Sequence, residues 1–293
     1  MKPTVAIIGC GTVGTAIGKL LARSGYPITG VASRHLDTAR TAARAIGTEE
    51  FSDCPWSISK KAEVVFITTP DDAIEPTCRA ISKEMGFQKN TVVIHCSGAL
   101  SSEILSSARD CEAVVASLHP LQSFASVDQA ETSVPGSFCG IEGDEAALGA
   151  VHRIAKDLGV IPMEIRPEAK KLYHAAAVAV SNYLVTLIHL ALELTKAAGI
   201  SPDTSFNALL PLINGTLSNI GEKGIPGALT GPIARGDVKT VQSHLKAIGE
   251  RIPKMLMLYK TLGLYTIDLA TARGTLGEEA ARKLRALLAT REG

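Results

Sequence analysis

The feature that most constrains this chain is the stretch TVAIIGCGTVGTAIGKLLARSG near its start. Thr4 to Ile8 is short, apolar and β-branched, which is typical of a buried parallel strand. Gly9, Gly11 and Gly14 follow in a GxGxxG pattern, and apolar residues at helical spacing come next. This order predicts a dinucleotide site, because the glycines allow a tight turn, a close backbone approach to a pyrophosphate and close helix packing. The alternative is a glycine-rich turn that binds nothing.

Length and charge narrow the class of partner. With 293 residues, of which 46% are hydrophobic, the chain is long enough to bury a large core and to form two domains. The net charge of +1 gives no general attraction to nucleic acid or to an acidic membrane surface. We therefore expect a small-molecule partner, with no nucleic acid and no membrane.

The cysteine pattern indicates a reducing compartment. All 6 cysteines lie in the first half, without CxxC or other paired spacing. Reduced thiols in a cytoplasm fit this pattern better than disulfides or a zinc site, so no metal is expected. Lys2 and Pro3 lead straight into the first strand, and we expect no signal peptide.

The tip of the second predicted strand, Pro27 to Ser33, bears on cofactor choice. Enzymes that use NAD usually place an acidic residue there to bind the ribose 2′-hydroxyl. This chain has Ser33 and Arg34 instead, and a guanidinium can meet a 2′-phosphate with paired charged hydrogen bonds. The tip therefore favours NADP(H). The alternative is that Arg34 is only a solvated residue at a strand end.

Further apolar runs predict a larger parallel sheet with helices between its strands. The predicted strands are 62–69, 91–95, 113–118, 138–141 and 160–165, and the predicted helices of this half include 37–46, one beginning near 73, and 144–158. Ligands lie at the carboxyl ends of such strands, so Thr69, Pro70, Ser97, Gly98 and His119 should face one crevice.

Two of these strand-end residues are candidates for chemistry. The His119 imidazole could exchange a proton with a substrate oxygen during hydride transfer, and the Ser97 hydroxyl could orient that oxygen. The alternative is that His119 is an ordinary strand-end histidine bonded to backbone. His95 precedes its turn and is interpreted as structural.

The second half contains no strand pattern and is predicted to be helical. A helix from Glu168 is expected to run unbroken to Gly199. Lys171 and His174, three residues apart near its start, share one face, and a lysine there could stabilise or protonate a developing alkoxide. The alternative is a solvated first-turn lysine such as Lys170.

This predicted helix is apolar all round, with no charged residue from Leu172 to Leu192. Such a length could cross a bilayer, but it equally suits a protein core or a dimer. The run contains polar residues and no second span follows it, so we expect a core or a dimer.

The rest of the chain is interpreted as helices around one long loop. A helix from Ser201 towards Ile220 is expected to kink or restart at Pro211. Residues 221–237 are predicted to form a loop rich in glycine and proline, whose Arg235 could bind an anionic substrate or a neighbouring subunit. The alternative is a plain connector between helices. The closing helices are predicted at 238–248, 253–272 and 276–290.

Several motifs together resemble a known group of enzymes. HPLQSF, KKLYHAAAV with SNYLV, and ALTGPIARGD are similar to those of Rossmann-like NADP oxidoreductases with a helical C-terminal domain of unknown function. This group lies in the superfamily of 6-phosphogluconate and 3-hydroxyisobutyrate dehydrogenases, ketopantoate reductase, pyrroline-5-carboxylate reductase and prephenate dehydrogenase. The resemblance covers nearly the whole chain and implies a dimer built on the helical domains.

The resemblance also implies residue roles. Lys171 and His174 resemble the K-x-x-H-N motif of the phosphogluconate enzymes, whose lysine does acid/base work, but Ala175 replaces the asparagine and argues against the same substrate. His119 and Pro120 are similar to the His-Pro of prephenate dehydrogenases, whose histidine contacts the reacting hydroxyl. Ser97 falls where those enzymes have a serine. Which set of residues acts is left open.

These observations predict an α/β fold. A doubly wound, mostly parallel sheet with extra strands (residues 1–165) is followed by an all-α domain (residues 166–293). We expect a cytoplasmic, homodimeric NADP(H)-dependent oxidoreductase acting on a small carbonyl or hydroxy acid. The alternatives are a cyclic imine reductase of the pyrroline-carboxylate type and a non-catalytic NADP(H)-binding regulator.

The expected catalytic residues are Ser97, His119, Lys171 and His174, with Arg235 on the substrate. The expected cofactor-binding residues are Gly9, Gly11, Thr12, Val13, Gly14, Ser33, Arg34, Thr69 and Pro70.

Overall fold

The computed structural model describes residues 1–289, which form two compact units. The first unit is Met1–Asn182 and the second begins at Tyr183. The sequence analysis divides the chain after residue 165. The helix that follows that point lies with the first unit, because Lys170 and Tyr173 bond to the strands of its sheet.

Within residues 1–289 the first unit contains one eight-stranded sheet. Its strands are β1 (Val5–Ile8), β2 (Ile28–Ala32), β3 (Phe51–Ser52), β4 (Val64–Ile67), β5 (Val92–His95), β6 (Val114–Pro120), β7 (Phe138–Gly143) and β8 (Ile161–Glu164). The order is β3-β2-β1-β4-β5-β6-β7-β8, and only the β6–β7 pair is antiparallel. The predicted α/β class with a mostly parallel sheet and extra strands is confirmed. The two-residue β3 was not predicted.

Helices cover both faces of this sheet. They are α1 (Thr12–Arg23), α2 (Leu36–Ile46), α3 (Pro55–Ser59), α4 (Asp71–Lys83), α5 (Val127–Ser133), α6 (Glu145–Asp157) and α7 (Lys170–Val180), with 3-10 turns at Ser102–Cys111 and Pro167–Ala169. Alternate residues of β1, β2, β4, β5 and β6 enter opposite cores, as Ile7 and Ile8 of β1 do. Helices α1, α2 and α6 pack on one face, and α3, α4 and the longer 3-10 turn pack on the other.

The helix expected to run from Glu168 to Gly199 is interrupted, so this prediction was wrong. α7 ends at Val180, and Ser181 has φ −109° and ψ −71°. α8 (Asn182–Ala197) then begins. The sequence is apolar on both sides of Ser181, so hydrophobic periodicity did not reveal the break.

Within the described residues the second unit is entirely helical. It comprises α8, α9 (Pro202–Ala228), α10 (Val238–Arg251), α11 (Leu256–Ala272) and α12 (Glu278–Ala289), with a 3-10 turn at Pro253–Met255. The core of α10, α11 and α12 includes Val241, Leu245, Ile267 and Leu284. The predicted end of the last helix, Thr290, lies outside the described residues.

The predicted loop at 221–237 is mostly helical, because α9 continues to Ala228. The interruption in α9 falls at Gly224, with φ 70° and ψ 169°, rather than at the expected Pro211. Glycine tolerates this positive φ, and Pro226 then stands in the first turn of the restarted helix, where a missing N–H costs little. The connector is therefore only residues 229–237.

Large apolar side chains are exposed along α8, α9 and α11. They include Tyr183, Val185, Leu187, Phe206, Leu210, Leu212, Leu217, Ile220, Met257, Tyr265 and Leu269. One helical stretch, Pro167–Ala197, is long and apolar enough by length and composition to cross a membrane, with a mean hydropathy of 1.8 and only 6% of its most apolar window buried.

Candidate functional site

The glycine turn after β1 is shaped by its contacts with the start of the segment after β4. A Cβ on Gly9 would lie 2.6 Å from the Thr68 carbonyl carbon, and Gly9 has a φ of 107°. A Cβ on Gly14 would lie 2.1 Å from Gly9 O. A Cβ on Gly11 would meet nothing within 4 Å. Gly9 and Gly14 are thus required by packing, whereas the space over Gly11 is open to a ligand.

A cleft of about 530 Å³ opens over this turn. Its lining includes eight of the nine predicted cofactor residues, namely Gly9, Gly11, Thr12, Val13, Ser33, Arg34, Thr69 and Pro70. Gly14 lies beneath the turn, where it packs against Gly9. His35, Thr38, Asp53 and Phe124 also line the cleft and were not predicted.

The middle of the cleft has the donors that a diphosphate needs. α1 begins at Thr12 directly after Gly11, so its free N–H groups and positive dipole end are available there. Its first turn contains no acidic residue to compete with a phosphate. Thr69 Oγ1 is buried without a hydrogen-bond partner in the described structure. The cradle therefore fits the diphosphate of a dinucleotide.

The end of the cleft at β2 has a positive charge. Arg34 follows β2 and is exposed, and no residue in the range 1–289 accepts a hydrogen bond from its guanidinium. Arg40, six residues further along the chain and on α2, is instead paired with Asp37 at 3.0 Å. Among the described residues that line the cleft, one is acidic, and this is Asp53, beside the start of α3. Arg34 is therefore a cation that is available to a ligand at this end.

A hydrogen bond joins the cleft to the next strand end. Asp71 follows the lining residue Pro70 and begins α4. Ser97 Oγ donates to Asp71 Oδ2 at 2.9 Å and accepts from the backbone N–H groups of Ala99 and Leu100 at 3.2 and 3.1 Å. The predicted residue Ser97 is thus fixed at the crevice and holds the turn after β5.

Two histidines and a tyrosine meet beside this turn. Their ring centroids lie 6.3 Å apart for His119 and His174, and 5.5 Å apart for His119 and Tyr173. His119 Nδ1 is 2.9 Å from the Tyr173 hydroxyl oxygen. Gly98 lets both imidazoles approach, since a Cβ there would lie 2.7 Å from His174 Cδ2 and 2.8 Å from His119 Nε2. The structure therefore brings three predicted residues, Ser97, His119 and His174, to one place.

The protonation states in this cluster follow from burial. Burial, the Lys170 charge and His174 lower the pKa of His119 to about 4, so its imidazole is neutral at pH 7. Burial raises the pKa of Tyr173 to about 12, so its phenol keeps its proton. His119 and Tyr173 therefore provide neutral hydrogen-bonding groups rather than a charged acid.

The lysine at this cluster is Lys170, not the predicted Lys171. Lys170 is 1% exposed; its Nζ donates to Ser97 O at 2.8 Å and also to Ser117 Oγ. Lys171 is exposed and is not brought to the cluster. The expectation that Lys170 is solvated was wrong. Consecutive residues of a helix point about 100° apart, and the apolar pattern around this pair does not determine which lysine turns inward.

Buried polar groups surround Lys170. Glu142 of β7 lies 3.8 Å from Lys170 Nζ and accepts from Ser102 N and Ser102 Oγ at 2.8 and 2.7 Å. Burial lowers the pKa of Lys170 to about 8, with the Glu142 charge opposing this shift. The sequence analysis missed both Glu142 and Tyr173. A charged residue inside the apolar strand FCGIEG was the available signal for Glu142.

Two further positions named from the sequence are His95 and Arg235. His95 is fully buried and its Nδ1 accepts from Ser97 N at 3.0 Å, which fits the structural interpretation. Arg235 is an exposed residue of the second unit. Its contact with a substrate or a subunit stays a prediction.

The comparisons with known proteins agree with this architecture. Residues 1–120 match the model of a Rossmann-like domain, and residues 137–266 match that of a domain of unknown function (DUF2520). No curated protein matches the chain at a significant level.

Solved structures resemble nearly the whole chain. A protein from Thermotoga maritima is 29% identical, with a TM-score of 0.71 over 92% of this chain and 99% of its own. A Bacteroides fragilis protein whose description proposes an NADP oxidoreductase is 24% identical, with a TM-score of 0.75 over 91% and 98%. The NADP+ complex of an imine reductase from Myxococcus stipitatus is 14% identical, with a TM-score of 0.69 over 96% and 99%. The chain thus has a Rossmann-like domain followed by a DUF2520 domain, in a fold that is also found in oxidoreductases.

Proposed function

We propose that this protein is an NADP(H)-dependent oxidoreductase that reduces or oxidises a small carbonyl or hydroxy acid. One observation supports this most strongly. The glycine cradle is connected through Pro70, Asp71 and Ser97 to the cluster of His119, Tyr173 and His174. A dinucleotide in the cleft and a substrate at the cluster would therefore be neighbours.

The cleft supports NADP(H) over NAD(H). Arg34, with Ser33 beside it, offers an unpaired guanidinium and a hydroxyl at the β2 end of the cleft, where a 2′-phosphate would lie. The open space over Gly11 admits the diphosphate. Two structural relatives, an imine reductase and a pyrroline carboxylate reductase from Plasmodium falciparum, are described with NADP bound.

The residues at the crevice would orient the substrate. A bound nicotinamide supplies or accepts the hydride. The imidazoles of His119, which is neutral, and of His174 can hydrogen-bond the substrate oxygen as charge develops on it. Ser97 holds the turn against which both rings pack, so it is a positioning residue in this scheme. Burial keeps His119 neutral, and the charge of Lys170 adds to this effect.

Reduction of a cyclic imine is the second candidate, and the state of His119 favours it. An iminium nitrogen already has its proton, so its reduction needs no acid from the protein. A histidine whose pKa lies near 4 suits that reaction. Structural relatives described as imine reductases and a pyrroline-5-carboxylate reductase have the same fold.

A substrate panel tests these candidates. 2-Keto acids, 3-keto acids and cyclic imine acids are each mixed with NADPH, and absorbance is followed. We expect one class to consume NADPH, and His119→Asn to lower kcat about 100-fold or more while NADPH affinity is kept. His152→Asn, at an exposed hydrogen bond with Glu164, is the matched control. An inert panel with tight NADPH binding would favour the non-catalytic regulator, and absent binding would overturn the proposal.

We further propose a cytoplasmic homodimer formed through the helical unit. Exposed apolar side chains on three helices, such as Leu212, Leu217 and Tyr265, are costly in water and suit burial against a second copy. Light scattering should give twice the chain mass, and Leu212→Glu should give monomers. Met85→Glu, at an exposed position of the first unit, should stay dimeric. A monomeric wild type, or sedimentation with membranes, would contradict this proposal.

A further inference from the structure

The contact between His119 and Tyr173 determines where the imidazole proton lies. His119 stands on β6 and Tyr173 on the first turn of α7, and their rings meet edge to face at 89°. The 2.9 Å distance joins the phenol oxygen to Nδ1 and leaves Nε2 on the side of Gly98. The two ring nitrogens therefore have different surroundings.

The phenol O–H of Tyr173 can donate one hydrogen bond. The missing side chain of Gly140 leaves room for the hydroxyl, since a Cβ on Gly140 would lie 3.0 Å from the Tyr173 oxygen. Burial keeps the phenol protonated. In the range 1–289, His119 Nδ1 is the acceptor within reach of its O–H. The phenol therefore donates to Nδ1, and Nδ1 has no proton of its own.

We propose that Tyr173 holds His119 as the neutral imidazole with its proton on Nε2, so that His119 acts on the substrate as an Nε2–H hydrogen-bond donor. This inference rests on the proposed function for the identity of the acceptor, the carbonyl oxygen of the substrate. His119 keeps its proton throughout. The hydride forms the new C–H bond, and water supplies the proton for a carbonyl oxygen.

The groups around His119 favour this neutral form. Lys170 and His174 face it from α7, and both oppose a positive charge on the ring. His95 lies behind it on β5, where burial lowers the pKa to about 3 and keeps that ring neutral too. Cys139 of β7, beside Tyr173, has a pKa raised to about 12 by burial and is a neutral thiol. No carboxylate contacts His119 in the described part of the chain, so nothing there stabilises an imidazolium.

Nitrogen NMR of 15N-histidine-labelled full-length protein tests the proposal without cofactor or substrate. Protonated and unprotonated ring nitrogens have distinct shifts, and the His119 signals are assigned by their loss in His119→Asn. We expect Nε2 to be protonated and Nδ1 unprotonated from pH 5.5 to 8. In Tyr173→Phe the His119 signals should move towards a mixture of the two tautomers. Tyr26→Phe removes a hydroxyl bonded to Asp157 elsewhere in the first unit and should leave them unchanged.

A proton on Nδ1 in the wild type, or a charged ring at pH 7, would overturn the proposal even if Tyr173→Phe failed to fold. Unchanged His119 signals in a folded Tyr173→Phe would overturn the role of Tyr173. For any substrate that the panel identifies, we expect Tyr173→Phe to lower kcat about 10-fold to 100-fold at an unchanged KM for NADPH. An inert panel would count against the proposed function alone, because the tautomer is read in the free protein.

Discussion

Lys170 Nζ lies 3.8 Å from Glu142 Oε1, and both side chains are almost fully buried. This pair joins the first turn of α7 to β7. Tyr173 and His174 follow on the same side of the helix, three and four residues later. The pair therefore helps to fix the height and rotation at which both rings enter the crevice.

Replacing Lys170 should destabilise the protein far more than replacing Lys171. Lys170→Met leaves the Glu142 carboxylate buried without its cation, which costs about 3–5 kcal/mol in comparable cases. Lys171→Met changes an exposed side chain and should stay within about 0.5 kcal/mol. Urea unfolding measures both variants. Equal urea midpoints for Lys170→Met and Lys171→Met would contradict a buried Lys170–Glu142 pair.

Replacing Gly11 should weaken cofactor binding, whereas replacing Gly14 should lower the stability of the fold. Gly11→Ala places a methyl group in open space at an ordinary φ of −77°, so the unfolding temperature should hold while NADPH affinity falls about 10-fold or more. Gly14→Ala forces a methyl group to within 2.1 Å of Gly9 O and should lower the unfolding temperature itself. Calorimetry and cofactor titration separate the two effects. Equal NADPH affinity in Gly11→Ala and wild type would contradict a diphosphate over this turn.

The cofactor preference should depend on Arg34. Arg34→Gln removes the cation at the β2 end of the cleft and should weaken NADPH binding by about 10-fold to 100-fold, since hydrogen bonds to charged groups contribute about 1.5–3 kcal/mol. NADH binding should not change. Arg40→Gln, six residues away and paired with Asp37, is the control and should alter neither. A parallel loss for NADPH and NADH would argue against a 2′-phosphate contact.

Acid should destabilise the fold partly through His119. Its pKa is 6.5 in an unfolded chain and about 4 in the folded protein, so the unfolded state binds more protons between these values. Stability from this group is therefore complete above pH 6.5 and falls as the pH drops towards 4, by at most about 1.4 kcal/mol per unit. Urea unfolding should show a shallower decline in His119→Gln than in wild type. His152→Gln is the exposed control, and an identical decline in all three proteins would contradict a buried neutral His119.

The sequence predicted the sheet because its strands are short apolar runs between turn residues. The strand at Val64–Ile67 and the helix after Gly11 were both expected from such local patterns. The two-residue β3 is too short to produce a pattern. The interruptions at Ser181 and Gly224 depend on backbone geometry that hydrophobic periodicity does not encode.

Only part of the crevice could be predicted, for a similar reason. Ser97 and His119 follow from a general rule about the ends of parallel strands. Lys170 and Glu142 are 28 positions apart in the chain. Their pairing depends on the antiparallel register of β6 and β7, in which Ser117 lies opposite Glu142. The sequence contains no local signal for the role of Tyr173, because its hydroxyl partner, His119, lies on a distant strand.

The bare backbone at Gly98 limits how this protein can diversify. A methyl group at position 98 would clash with the imidazoles of His119 and His174. This wall of the crevice therefore tolerates no larger residue, whether by natural substitution or by engineering. New substrates would have to be accommodated by side chains elsewhere around the crevice. A directed-evolution library should therefore keep Gly98 constant and vary the residues that form the other walls of the crevice.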